Sequence, residues 1–249
     1  MKIADKKILL TGGSSGIGSE TALALAAEGA HLGIHYYSNS KNVNRVLKEL
    51  PGGKGTHTLY QADLTDSDTV LQLIERFLSD FGRIDVLVNN AGTVYGNKHF
   101  LDLTPDEWNK TFALNTLSPF LLAREAFKAM KTEHGGKIIN ISSVSAKYGG
   151  SPFSMHYGAS KAALDALTVG LARAGAEHNI LVNSIRCGFI DTDFHRKMGR
   201  SEADIAKRIQ LIPLKRAGKA HDIANAVLYL AGPSGDFVTG ENLSVSGGD

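Results

Sequence analysis

Apolar residues along this chain follow two rhythms that take turns. Short apolar or β-branched runs recur at residues 7–11, 31–35, 56–61, 85–89, 137–142, 180–186 and 242–245. Between them, apolar positions return every three or four residues over 17–28, at Val70, Leu73, Ile74 and Phe77, and over 107–131, 157–177 and 222–230. The short runs suit buried strands and the longer period suits helices. Strands separated by helical stretches need crossover connections, so the pattern predicts an α/β chain with a doubly wound, mainly parallel sheet of seven strands and helices on both faces. No repeat or Pro/Ser-rich linker interrupts it, and a single domain over 1–249 is expected.

Boundary signals agree. Thr104-Pro105-Asp106-Glu107 offers an N-cap, a proline in the first turn and acids beside it. Glu133-His134-Gly135-Gly136 stops the same helix before the next strand. Gly52-Gly53 and Gly149-Gly150 read as turns. Residues 193–210 are polar and weakly periodic, and they follow a strand end. They are either a lid over a ligand crevice or a surface insertion.

Composition excludes several functions. The 249 residues include 27 basic and 25 acidic side chains, which gives no electrostatic case for nucleic acid or an anionic membrane. Cys187 is the only cysteine, so an internal disulfide and a cysteine metal cluster are excluded, and the nine histidines show no metal-ligand spacing; no metal is expected. No run approaches the ~18 apolar residues of a membrane span, and the opening apolar run is too short for a signal peptide. A cytoplasmic address is expected. The 27 glycines pose a question: scattered turns, or places where backbone must approach a ligand.

One cluster has a ligand-dictated reading. Thr11-Gly12-Gly13-Ser14-Ser15-Gly16-Ile17-Gly18 follows the first strand and opens a helix. Glycines at 12, 16 and 18 allow a tight turn, close approach of a pyrophosphate and close helix–strand packing, while the helix N-terminus offers N–H donors. The second strand ends in His35-Tyr36-Tyr37-Ser38-Asn39-Ser40, where an NAD site normally places an acid for the ribose 2′-hydroxyl. No acid occurs between Glu28 and Glu49, whereas Lys41, Arg45 and Lys48 do. NADP is therefore favoured, with NAD as the alternative.

A second motif is Tyr157-Gly158-Ala159-Ser160-Lys161, which puts a phenol and an ammonium on one helix face. A phenol of ordinary pKa is a poor base near neutrality, and a nearby ammonium favours the phenolate. Such a pair can serve as acid and base in carbonyl–alcohol chemistry. Asp63-Leu64, Asn89-Asn90-Ala91-Gly92, Asn115 and Ile139-Asn140-Ile141-Ser142-Ser143 follow strands or lie in helices at matching spacing. Together these residues resemble the short-chain dehydrogenase/reductase family over essentially the whole chain. The resemblance implies a Rossmann-like fold and a nicotinamide-dependent oxidoreductase. It also implies roles: Tyr157 as the acid–base group, Ser143 holding the carbonyl oxygen, Lys161 acting on Tyr157 and on the nicotinamide ribose, and Asn115 supporting a water relay. On the cofactor side it implies Gly12, Ser14, Ser15, Gly16, Ile17 and Gly18 at the pyrophosphate, Tyr37 and Ser38 near the adenosine ribose, Asp63 and Leu64 at adenine, and Asn90, Ala91 and Gly92 along the ribose. Ile190 and Thr192 would meet the carboxamide.

Ser142 is the alternative to Ser143, and Ser151 and Ser154 read as soluble loop positions. Where the family usually has Pro-Gly after the sixth strand, this chain has Cys187-Gly188; a tolerated small residue and an altered nicotinamide pocket are both open. His156 reads as a wall of the substrate pocket. Helices 107–131 and 157–177 pair across subunits in the family, which implies a homodimer or homotetramer. The later motifs are similar to those of 3-oxoacyl-[acyl-carrier-protein] reductases, which dock an acidic carrier on basic residues. Lys128 matches one such place, but His178 stands at another, and Ser15 replaces a frequent arginine. The expected activity is NADP(H)-dependent interconversion of a ketone and a secondary alcohol, including a 3-oxoacyl thioester. Dehydrogenation of another alcohol, sugar or steroid-like substrate is the alternative, and a catalytically silent dinucleotide-binding regulator is a reading from another class.

Overall fold

Alternation along the central strands decides which face each side chain meets. The strands are β1 (Lys7–Leu10), β2 (His31–Tyr36), β3 (His57–Gln61), β4 (Val86–Asn89), β5 (Gly136–Ser143), β6 (Ile180–Cys187) and β7 (Asn242–Val245). Ile8, Leu10, Val86, Val88, Ile139 and Ile141 enter one apolar core, while Leu9, Leu87 and Ile138 enter another on the opposite face. These assignments come from a computed structural model that describes residues 2–52, 56–133 and 135–249. His134 and Gly53, expected in a helix stop and a turn, lie outside the described residues.

All seven strands pair in parallel, in the order β3-β2-β1-β4-β5-β6-β7. The helices in chain order are α1 (Gly16–Ala27), α2 (Ser40–Glu49), α3 (Ser67–Phe81), α4 (Pro105–Phe112), α5 (Ser118–Glu133), α6 (Ser145–Tyr148), α7 (Met155–Gly175), α8 (Asp193–Lys197), α9 (Glu202–Leu211) and α10 (Ala220–Ala231). Residues of α1, α2 and α10 cover the first core, and residues of α3, α5 and α7 cover the second. The doubly wound arrangement expected from the sequence is thus present.

Two elements differ from expectation. α2 is polar overall, but Asn39 caps it by accepting from the Asn42 N–H at 3.0 Å, and Val43 and Val46 carry its buried edge. The helix expected after the Thr104 cap begins at Pro105, where Thr104 and Glu107 form a reciprocal capping box. It is then interrupted: Ala113–Leu117 is a π-turn that joins α4 to α5. One extra residue in that turn points Asn115 inward, fully buried.

The sheet order reverses direction between β1 and β4. Crossovers leaving these two strands travel to opposite sides, so their C-terminal ends are left uncovered. The glycine loop after β1 and the segment after β4 meet there.

Candidate active site

The loop after β1 is held from both neighbouring strands. Thr11 Oγ1 accepts from the N–H groups of Asn90 and Ala91, each at 3.0 Å. Asn90 Nδ2 donates to the carbonyls of Thr11 at 2.8 Å and Gly12 at 3.1 Å. From the other side, the Gly12 N–H donates to His35 Nδ1 at 3.1 Å. Gly12 has φ +69°, and a Cβ on Gly18 would sit 2.1 Å from the Gly12 carbonyl oxygen, so both positions require glycine. Ser15, at the N-cap of α1, makes no side-chain capping bond, and the first turn holds no acid. The first N–H groups of α1 therefore lie open to an anion, which fits a dinucleotide pyrophosphate.

A cleft of about 470 Å³ runs from this loop past the ends of β4, β5 and β6. Gly12, Ser14, Ser15, Gly16, Ile17, Gly18, Tyr37, Asp63, Leu64, Asn90, Ala91, Gly92, Ser143, Tyr157, Lys161, Ile190 and Thr192 all line it. Thr192 approaches the glycine loop from across the cleft; a Cβ on Gly16 would lie 3.4 Å from its methyl. Asp63 is oriented by accepting from the N–H and hydroxyl of Thr65 at 2.9 and 2.7 Å. Ser38 does not belong to the cleft lining. β2 ends at Tyr36 and the chain turns into the Asn39 cap of α2, which leaves Ser38 exposed outside the cleft. The basic residues Lys41, Arg45 and Lys48 are also exposed on α2 and do not line it.

The expected catalytic groups converge on the opposite wall. Tyr157 and Lys161 sit in the first turns of α7, and Ser143 closes β5. The Ser143 hydroxyl acts on the Tyr157 phenol, whereas Ser142 Oγ donates to the Lys161 carbonyl at 3.4 Å. Burial pushes the phenol above its ordinary range, and the Ser143 hydroxyl opposes that only in part. The lowering of Tyr157 expected from Lys161 is not what the geometry gives. Lys161 Nζ donates to the Ile141 carbonyl at 2.7 Å and lies 5.9 Å from the Tyr157 ring centroid. Its own pKa is brought down to about 8 by burial, which the Cys187 thiol and Asp165 carboxylate partly offset.

Asn115 stands behind these groups. Its Oδ1 accepts from the Thr93 N–H at 3.1 Å, and its Nδ2 donates to the Thr93 carbonyl at 2.9 Å and to Ser160 Oγ at 3.0 Å. Both its Oδ1 and Lys161 Nζ would lie 3.1 Å from a Cβ on Gly92, so the two flank that glycine closely. Cys187 faces Ser143 across the β5–β6 pairing and lines the cleft; burial pushes its thiol up to about 12.

Several cleft residues escaped the sequence reading. His35 is buried behind the glycine loop, with Tyr95 and Ser154 on the far wall. Ser154 was expected only as a soluble loop position. His156, expected as a pocket wall, is buried and bonds the Tyr95 carbonyl at 2.7 Å, so it supports that wall from behind. Residues 193–210 hold α8, a short link and most of α9, and Phe194, His195, Met198 and Arg208 of this segment line the cleft. Asn97 Nδ2 donates to the Met198 carbonyl and Arg208 pairs with Asp249, so the segment is fastened over the opening. These contacts join residues 101 and 41 positions apart and carry no local sequence signal. Among the described residues no group of side chains could hold a metal, and no helix is long and apolar enough to cross a membrane.

Comparison with known proteins matches this geometry. A family profile described as Enoyl-(Acyl carrier protein) reductase matches residues 12–249. The 3-oxoacyl-[acyl-carrier-protein] reductase FabG of Thermotoga maritima is 34% identical over 100% of this chain and 99% of its own length. A short-chain dehydrogenase/reductase of Serratia marcescens superposes with TM-score 0.91 at 33% identity, covering 100% of this chain and 99% of the other. This chain belongs to the short-chain dehydrogenase/reductase family. A blue fluorescent protein from a metagenomic library, solved with NADPH, is likewise similar: TM-score 0.91 and 35% identity over 100% and 99% of the two chains. As a short-chain dehydrogenase/reductase, the protein is an oxidoreductase that uses a nicotinamide dinucleotide on a carbonyl or CH–OH group of a small molecule.

Proposed function

We propose that the chain is a single-domain, NADP(H)-dependent reductase of small ketones, with 3-oxoacyl thioesters the first substrate class to test. The observation that carries this reading is the convergence of Tyr157, Ser143 and Lys161 on one wall of a cleft whose other wall is the glycine loop. When bound, the dinucleotide supplies the hydride at its nicotinamide. Tyr157 holds the proton that the substrate oxygen needs. Because burial raises that phenol, it stays protonated at neutral pH, which is the form an acid requires for reduction. Ser143 lines the cleft beside the phenol and is placed to hold the same oxygen. Lys161 has used one of its three protons on Ile141, and the others are available to ribose hydroxyls. Asn115 keeps the wall behind Lys161 in register and supports a relay of protons to it.

The NADP preference rests on the end of β2. No carboxylate stands between His35 and Ser40 to bind a 2′-hydroxyl or repel a 2′-phosphate, and Tyr37 lies 60% exposed at that rim. Dependence on an acyl carrier protein has less support. Lys128 is engaged by Glu125 at 2.9 Å, and His178 packs edge-on against Phe127 with Glu177 at 3.3 Å. Free thioesters are therefore expected to serve as well as carrier-bound ones. The silent-regulator reading requires loss of a catalytic group, and none is lost.

The test is oxidation of NADPH and NADH with a panel of acyl thioesters, diketones, quinones and sugars, with Tyr157→Phe as control. Activity with NADPH that disappears in the variant supports the proposal. A strong NADH preference overturns the cofactor assignment, and inactivity of both proteins despite nucleotide binding favours the regulator.

A further inference from the structure

The imidazole of His35 sits between the two halves of the expected nucleotide pocket, with 2% of the residue exposed. One ring nitrogen, Nδ1, faces the Gly12 N–H at 3.1 Å on the pyrophosphate side. The other, Nε2, faces the Ala62 carbonyl at 3.1 Å, one residue before Asp63 on the adenine side. A backbone N–H can only donate and a carbonyl can only accept. The contacts therefore require one tautomer: a lone pair at Nδ1 and the proton at Nε2.

We propose that His35 is a positioning residue for the dinucleotide: its neutral Nε2–H ring fastens the glycine loop to the adenine side of the cleft, and protonation of the ring releases that loop and weakens nucleotide binding. The proposal rests on the dinucleotide reading above and adds to it a residue and a proton dependence.

The loop has little freedom to adapt. Gly12 is gripped at its carbonyl by Asn90 and at its N–H by His35, and a Cβ there would already be 3.0 Å from the Ala91 backbone. An imidazolium carries N–H at both nitrogens, so its Nδ1–H would confront the Gly12 N–H. The Gly13 N–H would still donate to the His35 carbonyl at 2.9 Å, so the loop is released at one point rather than lost. Gly12 is also the residue whose carbonyl lies against Gly18, so a shift there passes to the start of α1.

The surroundings keep the ring neutral. Burial brings its pKa down to about 4, while the Ala62 carbonyl and the Asp63 carboxylate pull the other way. Among the described residues, Asp63, just after β3, is the charged group acting on it, and residues 11–18 with the first turn of α1 carry no charge. The sign follows: full affinity at neutral pH, declining as pH falls toward 4.

The experiment combines ring spectroscopy with binding. A long-range 1H–15N spectrum of the protein at pH 7.5 should show His35 as the neutral Nε2–H tautomer; the Nδ1–H form would overturn the proposal. Calorimetric titration with NADP+ and, because its 2′-phosphate itself titrates, with NAD+ in parallel, should show that the NAD+ affinity is level between pH 7.5 and 5.5 and about twofold lower at pH 4.0, where half of the rings are protonated. His35→Leu, which keeps bulk but has no acceptor, should bind at least tenfold more weakly at pH 7.5. His35→Asn, which offers an oxygen at the Nδ1 position and cannot titrate, should recover most of that loss and remove the acid decline. Circular dichroism at each pH confirms that the fold is intact. Equal binding by His35→Leu, or the same acid decline in His35→Asn, would overturn the positioning role while leaving the dinucleotide reading standing. Failure of every form to bind either nucleotide would remove both.

Discussion

Lys161 carries its charge where the molecule is least able to solvate it. Its pKa of about 8 against 10.5 in the unfolded chain means that, below pH 8, both states are protonated and the folded one bears the cost of burial. That cost is about 3 kcal/mol and disappears only as pH rises toward 10.5. Lys161→Met should therefore be inactive yet more stable, by about 1–2 kcal/mol after the orphaned Ile141 carbonyl is counted. Urea denaturation at pH 7 reads this, and a loss of stability would show that the ammonium is better compensated than its contacts indicate. Tyr157→Phe should lower kcat by about 10²–10⁴-fold with little change in nucleotide affinity, as measured by turnover and calorimetry. Tyr157 and Lys161 were legible in the sequence because four positions on a helix place two side chains together. His35 was not, since its value depends on which neighbours face each ring nitrogen, and these are brought from β1 and β3 by the sheet alone.

Glycine means different things in different elements. Gly82 ends α3 at φ +76° with open space around it, so Gly82→Ala should cost about 1 kcal/mol of stability through backbone strain and leave turnover unchanged. Gly18→Ala has no such room, since its Cβ would overlap the Gly12 carbonyl. That variant should lose nucleotide binding by about a hundredfold, roughly 3 kcal/mol by the usual conversion, even where it still folds. Thermal melts and titration of the two variants, side by side, separate a turn glycine from a ligand glycine. That Gly18 lies in a strand-loop-helix turn was legible because this context is local. The sequence could not show the π-turn at Ala113–Leu117, because propensity in this stretch favours continuous helix and the interruption is fixed by partners far along the chain. Asn115 is held there by Thr93 and Ser160, and Asn115→Ala removes the partner of both Thr93 backbone groups and one of the two hydrogen bonds of Ser160 Oγ. A destabilisation of about 2–4 kcal/mol by denaturant titration is expected.

Across the whole molecule, alternating strands and helices were readable from period alone, and with them the position of the cleft at the reversal of strand order. The fastening of α8 and α9 over that cleft was not, for it depends on Asn97 and Asp249, remote in sequence. The subunit pairing that the family resemblance implies calls for apolar surface, and exposed apolar side chains lie at Leu117 and Trp108 around α4 and α5 and at Phe237 and Leu243 beside and on the edge strand β7. If these are two interfaces of a tetramer, Phe237→Asp should reduce the sedimenting species to a dimer without altering the nucleotide site; an unchanged species would remove that face from the assembly. The position of Cys187 has a practical consequence at the same scale. With a pKa of about 12, only about one thiol in ten thousand is ionised at pH 8, and the side chain is buried in the wall of the cleft at the end of β6. The native protein should thus react slowly with a chromogenic disulfide reagent and should release one equivalent of chromophore quickly only when the chain unfolds. The chain carries a built-in stopwatch for its own opening, and a cysteine placed anywhere on the surface could be labelled without first removing the natural one.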